Sequence, residues 1–353
     1  MSDRILGYGR VFQEEMVVIR LTLMKEFFDR VNEERRSPIV DRIAERWFDA
    51  DVVARVGPAS SNFVARVTAG ERTYYLRFNH ESERTLDYYA AEIAFVEYLA
   101  ARGVRVARPA RSKMGAFVER VPTGMGAFHA VLLEAAPGAD PELMDLDEPA
   151  MRAWGRAMAG LHSAAEGYAG EGRPDWRDHL AFAKGMIPVA EEAAHAELSF
   201  VAHALDALQS DTSRFGLIHF DMEADNMRWQ DGLPGLFDFD DCARYPFAAD
   251  VAYALRDLYD DKIERIDLMD PRLRAFVEGY RSGRPLPESD LRLLPLFMRA
   301  HNLYWFARLH RSVADGVVPG EEQWTTDLRD KLVSTMDGYR EGFERRPVGK
   351  YLS

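Results

Sequence analysis

Residues 216–241, GLIHFDMEADNMRWQDGLPGLFDFDD, carry the pattern that decides the fold of this chain. An apolar strand end leads into a polar loop that contains Asp221, and Asn226 follows five residues later. Two short runs then flank an Asp-Gly dipeptide at 231–232, which favours a β-hairpin turn. Asp238 lies on the returning arm of that hairpin. The stretch therefore predicts a loop and a hairpin that bring two aspartates and one asparagine together.

Such a set of side chains suits the transfer of a phosphoryl group. This reaction depends mainly on positioning and on a divalent metal that neutralises phosphate charge. Mg²⁺ takes carboxylate and amide oxygens as ligands, and a separate carboxylate must accept or orient the proton of the attacking hydroxyl. We therefore predict Asp221 as the catalytic carboxylate, with Asn226 and Asp238 as Mg²⁺ ligands.

Composition limits the class of protein. With 353 residues, 47% of them hydrophobic, the chain can bury one large core or two linked lobes. No apolar run approaches the roughly 20 residues of a membrane helix, and a net charge of −13 disfavours nucleic acid. The single cysteine, Cys242, excludes an intramolecular disulfide and favours a reducing compartment. We expect a cytoplasmic monomer or homodimer with no membrane or nucleic-acid partner.

The chain changes character on either side of this stretch. VVARVGPASSNFVARVTAGERTYYLRF, residues 52–78, predicts three short strands, and a strongly periodic helix follows over 83–101. Strands are also predicted over 112–121 and 127–134. From 139 onward the pattern is helical, with one interruption at 216–240. The predicted fold class is α+β, with a cleft between two lobes.

The predicted domain organisation has three parts. They are an N-terminal helical extension at 1–50, a β-rich N-lobe at 51–136 with a hinge at 130–138, and a helical C-lobe at 139–353. Residues 1–10 show little periodicity, and both Met16 and Met24 are plausible starts. We therefore expect the first 15 to 23 residues to lie outside the fold.

The segment around Asp221 resembles the catalytic and metal loops of the aminoglycoside phosphotransferase and choline kinase superfamily, relatives of the protein kinases. The usual pattern there is His-Gly-Asp, four residues, Asn, and later an apolar-Asp-aromatic triplet, here residues 237–239. FAADVAYAL, at 247–255, is similar to the helix start that follows, which implies that Asp250 is a structural carboxylate under the loop. His162 resembles a structural histidine of the family. The resemblance implies a bilobal, protein-kinase-like fold.

The resemblance also implies a nucleotide site in the N-lobe. The turn at 57–63 would cover the phosphates, and Arg77 would pair with Glu92 to contact them. An arginine stands where most kinases have lysine, and a guanidinium can bind phosphate through two hydrogen bonds. HAVLLEAAPG, at 129–138, is similar to the hinge beside the base. The implied nucleotide-binding residues are Ser60, Ser61, Asn62, Arg77, Glu92, Glu134 and Ala136, with ATP or GTP as donor.

Two departures from the family pattern lie within the loop. Phe220 replaces the usual glycine before Asp221, and Asp225 replaces a common glycine before Asn226. Both positions lose the backbone freedom of glycine. The expected consequence is a loop of different shape, or a pocket narrowed by the phenyl ring.

The acceptor is harder to predict. The acidic side chains near Asp221 serve either for solubility or for binding a cationic molecule. LFMRAHNLYWFARLHRS, at 296–312, resembles the helix beside the acceptor pocket of the family, although an aromatic stripe of this kind also packs cores. The candidate acceptor residues are Glu223, Asp225, Asp240, His301 and Trp305.

The chain most resembles the branch that contains amicoumacin kinases, which implies an antibiotic or another small, amine-bearing hydroxyl compound as acceptor. Homoserine, choline or hydroxy-amino-acid kinases are the alternatives within the superfamily. A pseudokinase is a further alternative. Outside the superfamily, the alternative is a protein that senses nucleotide without turnover.

Overall fold

The computed structural model describes residues 19–49, 52–141, 146–208, 213–259, 266–317 and 321–345. These residues form two compact units. The smaller unit comprises the described residues up to Leu86, together with Ala110–Glu134 and Phe306–Arg345, and the larger unit comprises Asp87–Pro109 and Ala135–Trp305. Neither unit is continuous in sequence. The predicted lobes, at 51–136 and 139–353, are contiguous segments.

The smaller unit is built on an antiparallel sheet. Its strands lie in the order β1 (Val53–Val56), β2 (Phe63–Ala69), β3 (Arg72–His80), β6 (Gly126–Glu134) and β4 (Pro109–Ala110). Strand β5 (Val118–Thr123) pairs with β6 on the edge opposite β3. The β2–β3 register opposes Val64 to Arg77, and the β3–β6 register opposes Arg77 to Val131.

A helix covers one face of this sheet and packs its apolar side chains against the apolar side chains of that face. Phe27 lies with its ring centroid 4.2 Å from that of Phe63 and 5.5 Å from that of Phe78. Phe63 and Phe78 in turn contact Phe128 of β6. The helix is α1, Leu21–Phe28, and α2, Pro38–Ala44, follows it.

The C-terminal helix also belongs to the smaller unit. Trp324 packs edge-on against Phe28 of α1, with 6.0 Å between ring centroids. Arg311 and Arg20 both form ion pairs with Glu83, whose side chain is buried. This is α11, Gln323–Arg345, and these contacts bring the two described ends of the chain together.

The larger unit is mostly helical. Two helices approach closely where Gly155 faces the backbone of Phe276 and Gly279 faces that of Arg152, so that a Cβ atom would clash at either glycine. The helices of this unit are α3 Leu86–Ala101, α4 Glu148–Ala165, α5 Trp176–Met186, α6 Glu192–Asp206, α7 Phe247–Ala254, α8 Pro271–Arg281 and α9 Glu288–Leu291. Helix α10, Leu294–Ser312, is counted with this unit as far as Trp305.

Two small sheets interrupt these helices, as predicted for 216–240. Strand β7, Phe215–Ile218, pairs with β10, Ala243–Pro246, and β8, Met227–Gln230, pairs with β9, Leu233–Leu236. The β8–β9 turn has φ of 56° at Asp231 and 73° at Gly232, the positive pair that a type I′ hairpin requires. The predicted α+β class and hairpin are confirmed.

The prediction that the first 15 to 23 residues lie outside the fold is wrong for residues 19–23. Ile19, Leu21 and Leu23 are buried, and the Ile19 N–H donates to the Ser60 carbonyl at 3.3 Å. Met16 and the rest of 1–18 lie outside the described residues.

A chain that starts at residue 24 is therefore expected to lose at least about 3 kcal/mol of stability, because each buried side chain contributes about 1.5–3 kcal/mol. Urea denaturation of this variant, beside one that starts at residue 19, measures the difference. Equal midpoints for both deletions would contradict the expectation.

Within the described part of the chain, no helix has the length and apolar character needed to cross a membrane.

Candidate active site

The loop at 219–226, here called the Asp221 loop, is held from beneath by one buried carboxylate. Asp250 accepts hydrogen bonds from the backbone N–H of His219 at 3.0 Å and of Phe220 at 2.8 Å. His162 Nε2 lies 2.9 Å from the same carboxylate, and its Nδ1 lies 2.8 Å from the Tyr280 hydroxyl. Burial lowers the pKa of His162, although the neighbouring Asp250 opposes this shift. The predicted structural roles of Asp250 and His162 are confirmed.

His219 joins the Asp221 loop to the segment after the hairpin. Its Nε2 lies 3.0 Å from the Phe237 carbonyl, and its Nδ1 accepts from the Asp221 N–H at 3.3 Å. Burial lowers the pKa of His219, which favours the neutral ring with the proton on Nε2 that this arrangement needs. A second link is the Phe237 N–H, which donates to the Asn226 carbonyl at 3.1 Å.

The carboxylate of Asp221 is held at both oxygens. Asn226 Nδ2 donates to Oδ2 at 2.9 Å, and Arg256 Nη2 donates to Oδ1 at 2.9 Å. Two donors of this kind fix the side-chain rotamer of Asp221. Each carboxylate oxygen has a further lone pair that can accept from a substrate hydroxyl.

The residues predicted to bind metal fit a hard divalent cation. Asn226 Nδ2 donates to both the carbonyl and the carboxylate of Asp221, so the amide oxygen points away from those acceptors. Asp238 directly follows the hydrogen-bonded Phe237 and has a φ of 61°. Among the described residues, no three His, Cys, Asp or Glu side chains form a metal-binding group. One carboxylate and one amide oxygen suit Mg²⁺, which keeps several waters or phosphate oxygens as ligands.

Phe220 takes the backbone conformation that glycine would favour. Its φ is 75°, which costs a bulky residue about 1–3 kcal/mol. Its side chain is 1% exposed, with ring centroids of Tyr253 and Tyr245 at 4.9 and 5.5 Å. Burial of a phenyl group contributes about 1.5–3 kcal/mol and offsets the strain. The expectation of a differently shaped loop, or of a pocket narrowed by the phenyl ring, stays a prediction.

The acidic candidates for acceptor binding do not form one exposed group. Glu223 forms an ion pair with Arg256, and burial, followed by the charge of Asp221, raises the pKa of Glu223 well above its usual value. Asp225 is exposed, whereas Asp240 is only 2% exposed. Fewer carboxylates therefore face solvent than the sequence suggested.

His301 and Trp305 are brought together on α10. Trp305 Nε1 donates to His301 Nε2 at 2.7 Å, and both side chains are buried. The His301 ring lies 4.9 Å from that of Tyr253 and 5.8 Å from that of Phe220, centroid to centroid. These two candidates therefore belong to a buried aromatic cluster that also contains Phe220 and Tyr253.

The turn predicted to cover the phosphates is held in place by hydrogen bonds that its carbonyls and one hydroxyl accept. Asn79 Nδ2 donates to the Ser61 carbonyl at 3.2 Å and to Asn62 Oδ1 at 2.6 Å. Arg308 Nη2 donates to Ser61 Oγ at 3.0 Å. The Ile19 N–H donates to the Ser60 carbonyl, so the two serine carbonyls and the Ser61 hydroxyl of the turn all accept hydrogen bonds from protein.

The remaining nucleotide candidates are distributed between the two units. Arg77 is 3% exposed in the middle of β3, and Glu92 is 2% exposed on α3. Glu134 is exposed at the end of β6, opposite Tyr74, and Ala136 follows it after two residues. The Arg77–Glu92 ion pair and the hinge contacts stay predictions.

Sequence reasoning missed two polar side chains, namely Asn79 and Arg256. Asn79 lies two residues after Arg77 on the same strand, which was the available signal for it. Arg256 follows Asp250 by six residues, but no motif spacing distinguishes it from a surface arginine.

Comparison with known proteins identifies the family of this chain. The sequence model of the phosphotransferase enzyme family matches residues 52–286. The chain is 26% identical over 299 residues to an amicoumacin kinase of Bacillus subtilis, a match that covers 81% of this chain and 88% of that protein. It is 30% identical over 251 residues to a homoserine kinase of Methylobacterium nodulans, which covers 68% of this chain and 73% of that protein.

A solved structure is also similar. It is an amicoumacin kinase in complex with AMP-PNP, Ca²⁺ and Ami, and it matches with a TM-score of 0.74 at 22% identity. The match covers 92% of this chain and 97% of that chain. This likeness confirms the predicted protein-kinase-like fold class.

Proposed function

Because this chain belongs to the phosphotransferase enzyme family, we propose that it transfers a phosphoryl group from a magnesium nucleotide to a hydroxyl of a small, amine-bearing molecule such as an antibiotic. The family and its kinase relatives establish the enzyme class, a small-molecule O-phosphotransferase. The donor, the metal and the acceptor are the proposed part.

The observation that carries the proposal is the Asp221 carboxylate, which is fixed at one oxygen by Asn226 and at the other by Arg256. In the proposed reaction, the acceptor hydroxyl donates its hydrogen bond to Asp221. The hydroxyl oxygen bonds to the γ-phosphorus, the bond to the nucleoside diphosphate breaks, and the proton passes to the Asp221 carboxylate.

Asn226 and Asp238 would hold the divalent cation through their side-chain oxygens. When bound, the cation neutralises charge on the phosphate oxygens. The relative solved with AMP-PNP and Ca²⁺ supports a nucleotide and a divalent metal, and Mg²⁺ is the finer proposal.

In the smaller unit, the turn at 60–62 would contact the phosphates. Its Ser60 and Ser61 carbonyls and the Ser61 hydroxyl are engaged by Ile19, Asn79 and Arg308, and the backbone N–H groups of such a turn can bind an anion. Arg77 would add a guanidinium contact to the α- and β-phosphates, with Glu92 as its partner, and the backbone at Glu134 and Ala136 would bind the base.

The acceptor class rests on Asp225 and on the names of the relatives, an amicoumacin kinase and homoserine kinases. An exposed carboxylate beside the loop can bind a protonated amine. Glu223 and Asp240 support this less well, because the first pairs with Arg256 and the second is buried. The alternative acceptors are homoserine, choline or a hydroxylated amino acid.

A panel of amino alcohols and antibiotics, assayed for Mg²⁺-dependent nucleotide consumption, tests the proposal. We expect turnover with amine-bearing compounds and loss of most of kcat/KM with their N-acetyl derivatives. Equal activity on an amine and on its N-acetyl derivative would overturn the proposal that the acceptor is bound through an amine. Nucleotide binding without turnover by any compound would instead favour a pseudokinase or a nucleotide sensor.

Asp238→Ala is expected to abolish Mg²⁺-dependent nucleotide binding, because it removes the one carboxylate assigned to the metal. Calorimetry with and without chelator measures the effect. Asp231→Ala, at the exposed hairpin tip, serves as the control. Normal binding of magnesium nucleotide by Asp238→Ala would show that the metal assignment is wrong.

A further inference from the structure

The guanidinium of Arg256 bridges two carboxylates of the Asp221 loop. Its Nη2 donates to Asp221 Oδ1 at 2.9 Å and also forms an ion pair with Glu223. The residue is only 8% exposed, so these contacts are shielded from water and from salt.

Arg256 is itself fixed in place. It lies in a short 3₁₀ helix, Arg256–Tyr259, that follows α7, and its Nη1 donates to the Tyr253 carbonyl at 2.9 Å. Asp250, near the start of α7, holds the backbone of the same loop. The α7 segment thus supplies one residue that holds the main chain before Asp221 and another that holds the Asp221 side chain.

Charge explains why a cation is needed at this point. Asp221 and Glu223 are two residues apart on a half-buried loop, and their like charges repel each other. Asp257 adds a third carboxylate, 3.9 Å from Arg256 Nε. A guanidinium presents several donors in one plane, and it can bind two carboxylates at once.

We propose that Arg256 is a positioning residue for Asp221, and that Glu223 anchors Arg256 instead of binding the acceptor. The inference rests on the proposed function of Asp221. Arg256 sets the direction in which the carboxylate faces the acceptor hydroxyl, while Asn226 holds the other oxygen. A displacement of a reacting group by about 1 Å can reduce the rate by about a hundredfold.

The proposal predicts a specific kinetic pattern. Arg256→Gln is expected to lower kcat by about tenfold to a hundredfold, with the KM for nucleotide and acceptor within about threefold of wild type. Arg256→Lys should retain more activity, because an ammonium group can still pair with Asp221. In Arg256→Ala, millimolar guanidinium should restore part of kcat. Glu223→Gln should lower kcat by less than Arg256→Gln and leave the acceptor KM unchanged.

The control is Arg152→Gln, an arginine with a 38% exposed side chain that also contacts two carboxylates, Glu148 and Glu278. It should leave kcat unchanged. Thermal melts of every variant separate loss of folding from loss of positioning. A kcat for Arg256→Gln within threefold of wild type would overturn the proposal, as would a large rise in nucleotide KM, which would assign Arg256 to the phosphates.

A crystal structure of Arg256→Gln provides a readout that does not depend on turnover. We expect the Asp221 carboxylate to leave its wild-type position, and an unchanged Asp221 would overturn the proposal. Absence of turnover in the wild-type protein would instead count against the proposed function, so the two failures are distinguishable.

Discussion

Asp221→Asn is expected to lower kcat by at least about a hundredfold while nucleotide affinity stays nearly unchanged. The amide keeps the shape of the carboxylate, but it cannot accept the proton of the acceptor hydroxyl. It also loses the charge that pairs with Arg256. Steady-state kinetics with the most active compound of the acceptor panel, together with calorimetry of nucleotide binding, measure both quantities.

Asp231→Asn is the matched control for this variant. Asp231 is exposed at the hairpin tip with a positive φ, a conformation that asparagine also tolerates. Its kcat should equal that of wild type. Turnover of Asp221→Asn within a few-fold of wild type would rule out Asp221 as the catalytic carboxylate.

Asp250→Ala is expected to lower the free energy of unfolding by about 3–5 kcal/mol. The carboxylate accepts from the N–H groups of His219 and Phe220 and contacts His162, and all of its contacts lie in the interior. Alanine would leave these donors buried without an acceptor. The midpoint of urea denaturation, at an unchanged m-value, measures the loss.

The control for stability is Asp337→Ala, an exposed aspartate on α11 that pairs with Arg340. Surface ion pairs contribute about 0–1 kcal/mol, so this variant should unfold close to wild type. A loss below about 1 kcal/mol for Asp250→Ala would show that water replaces the carboxylate under the loop.

Local sequence signals predicted the hairpin and the first three strands well. The Asp-Gly pair at 231–232 adopts the two positive φ angles that its turn type needs, and the alternation in 52–78 corresponds to β1, β2 and β3. These features depend on neighbours in sequence, which a sequence shows directly.

Contacts between distant residues were not predictable in the same way. The grouping of α11 with α1 depends on tertiary packing of Phe28 on Trp324, and no local pattern encodes this pair. Arg256 was missed because its two partners are 35 and 33 residues away in sequence. The sequence does not show that Arg256 pairs with Asp221 and Glu223. From the sequence alone, the acidic residues near Asp221 therefore look available to bind an amine.

The left-handed backbone at Phe220 also has a consequence for the motion of the loop. A glycine there would let the loop open while the core stays closed. The phenyl ring, buried among Tyr253 and Tyr245, must leave the core before the backbone can relax. Amide hydrogen exchange at His219 and Phe220 should therefore proceed only through opening of the surrounding helices, at the slow rate of the most protected core amides.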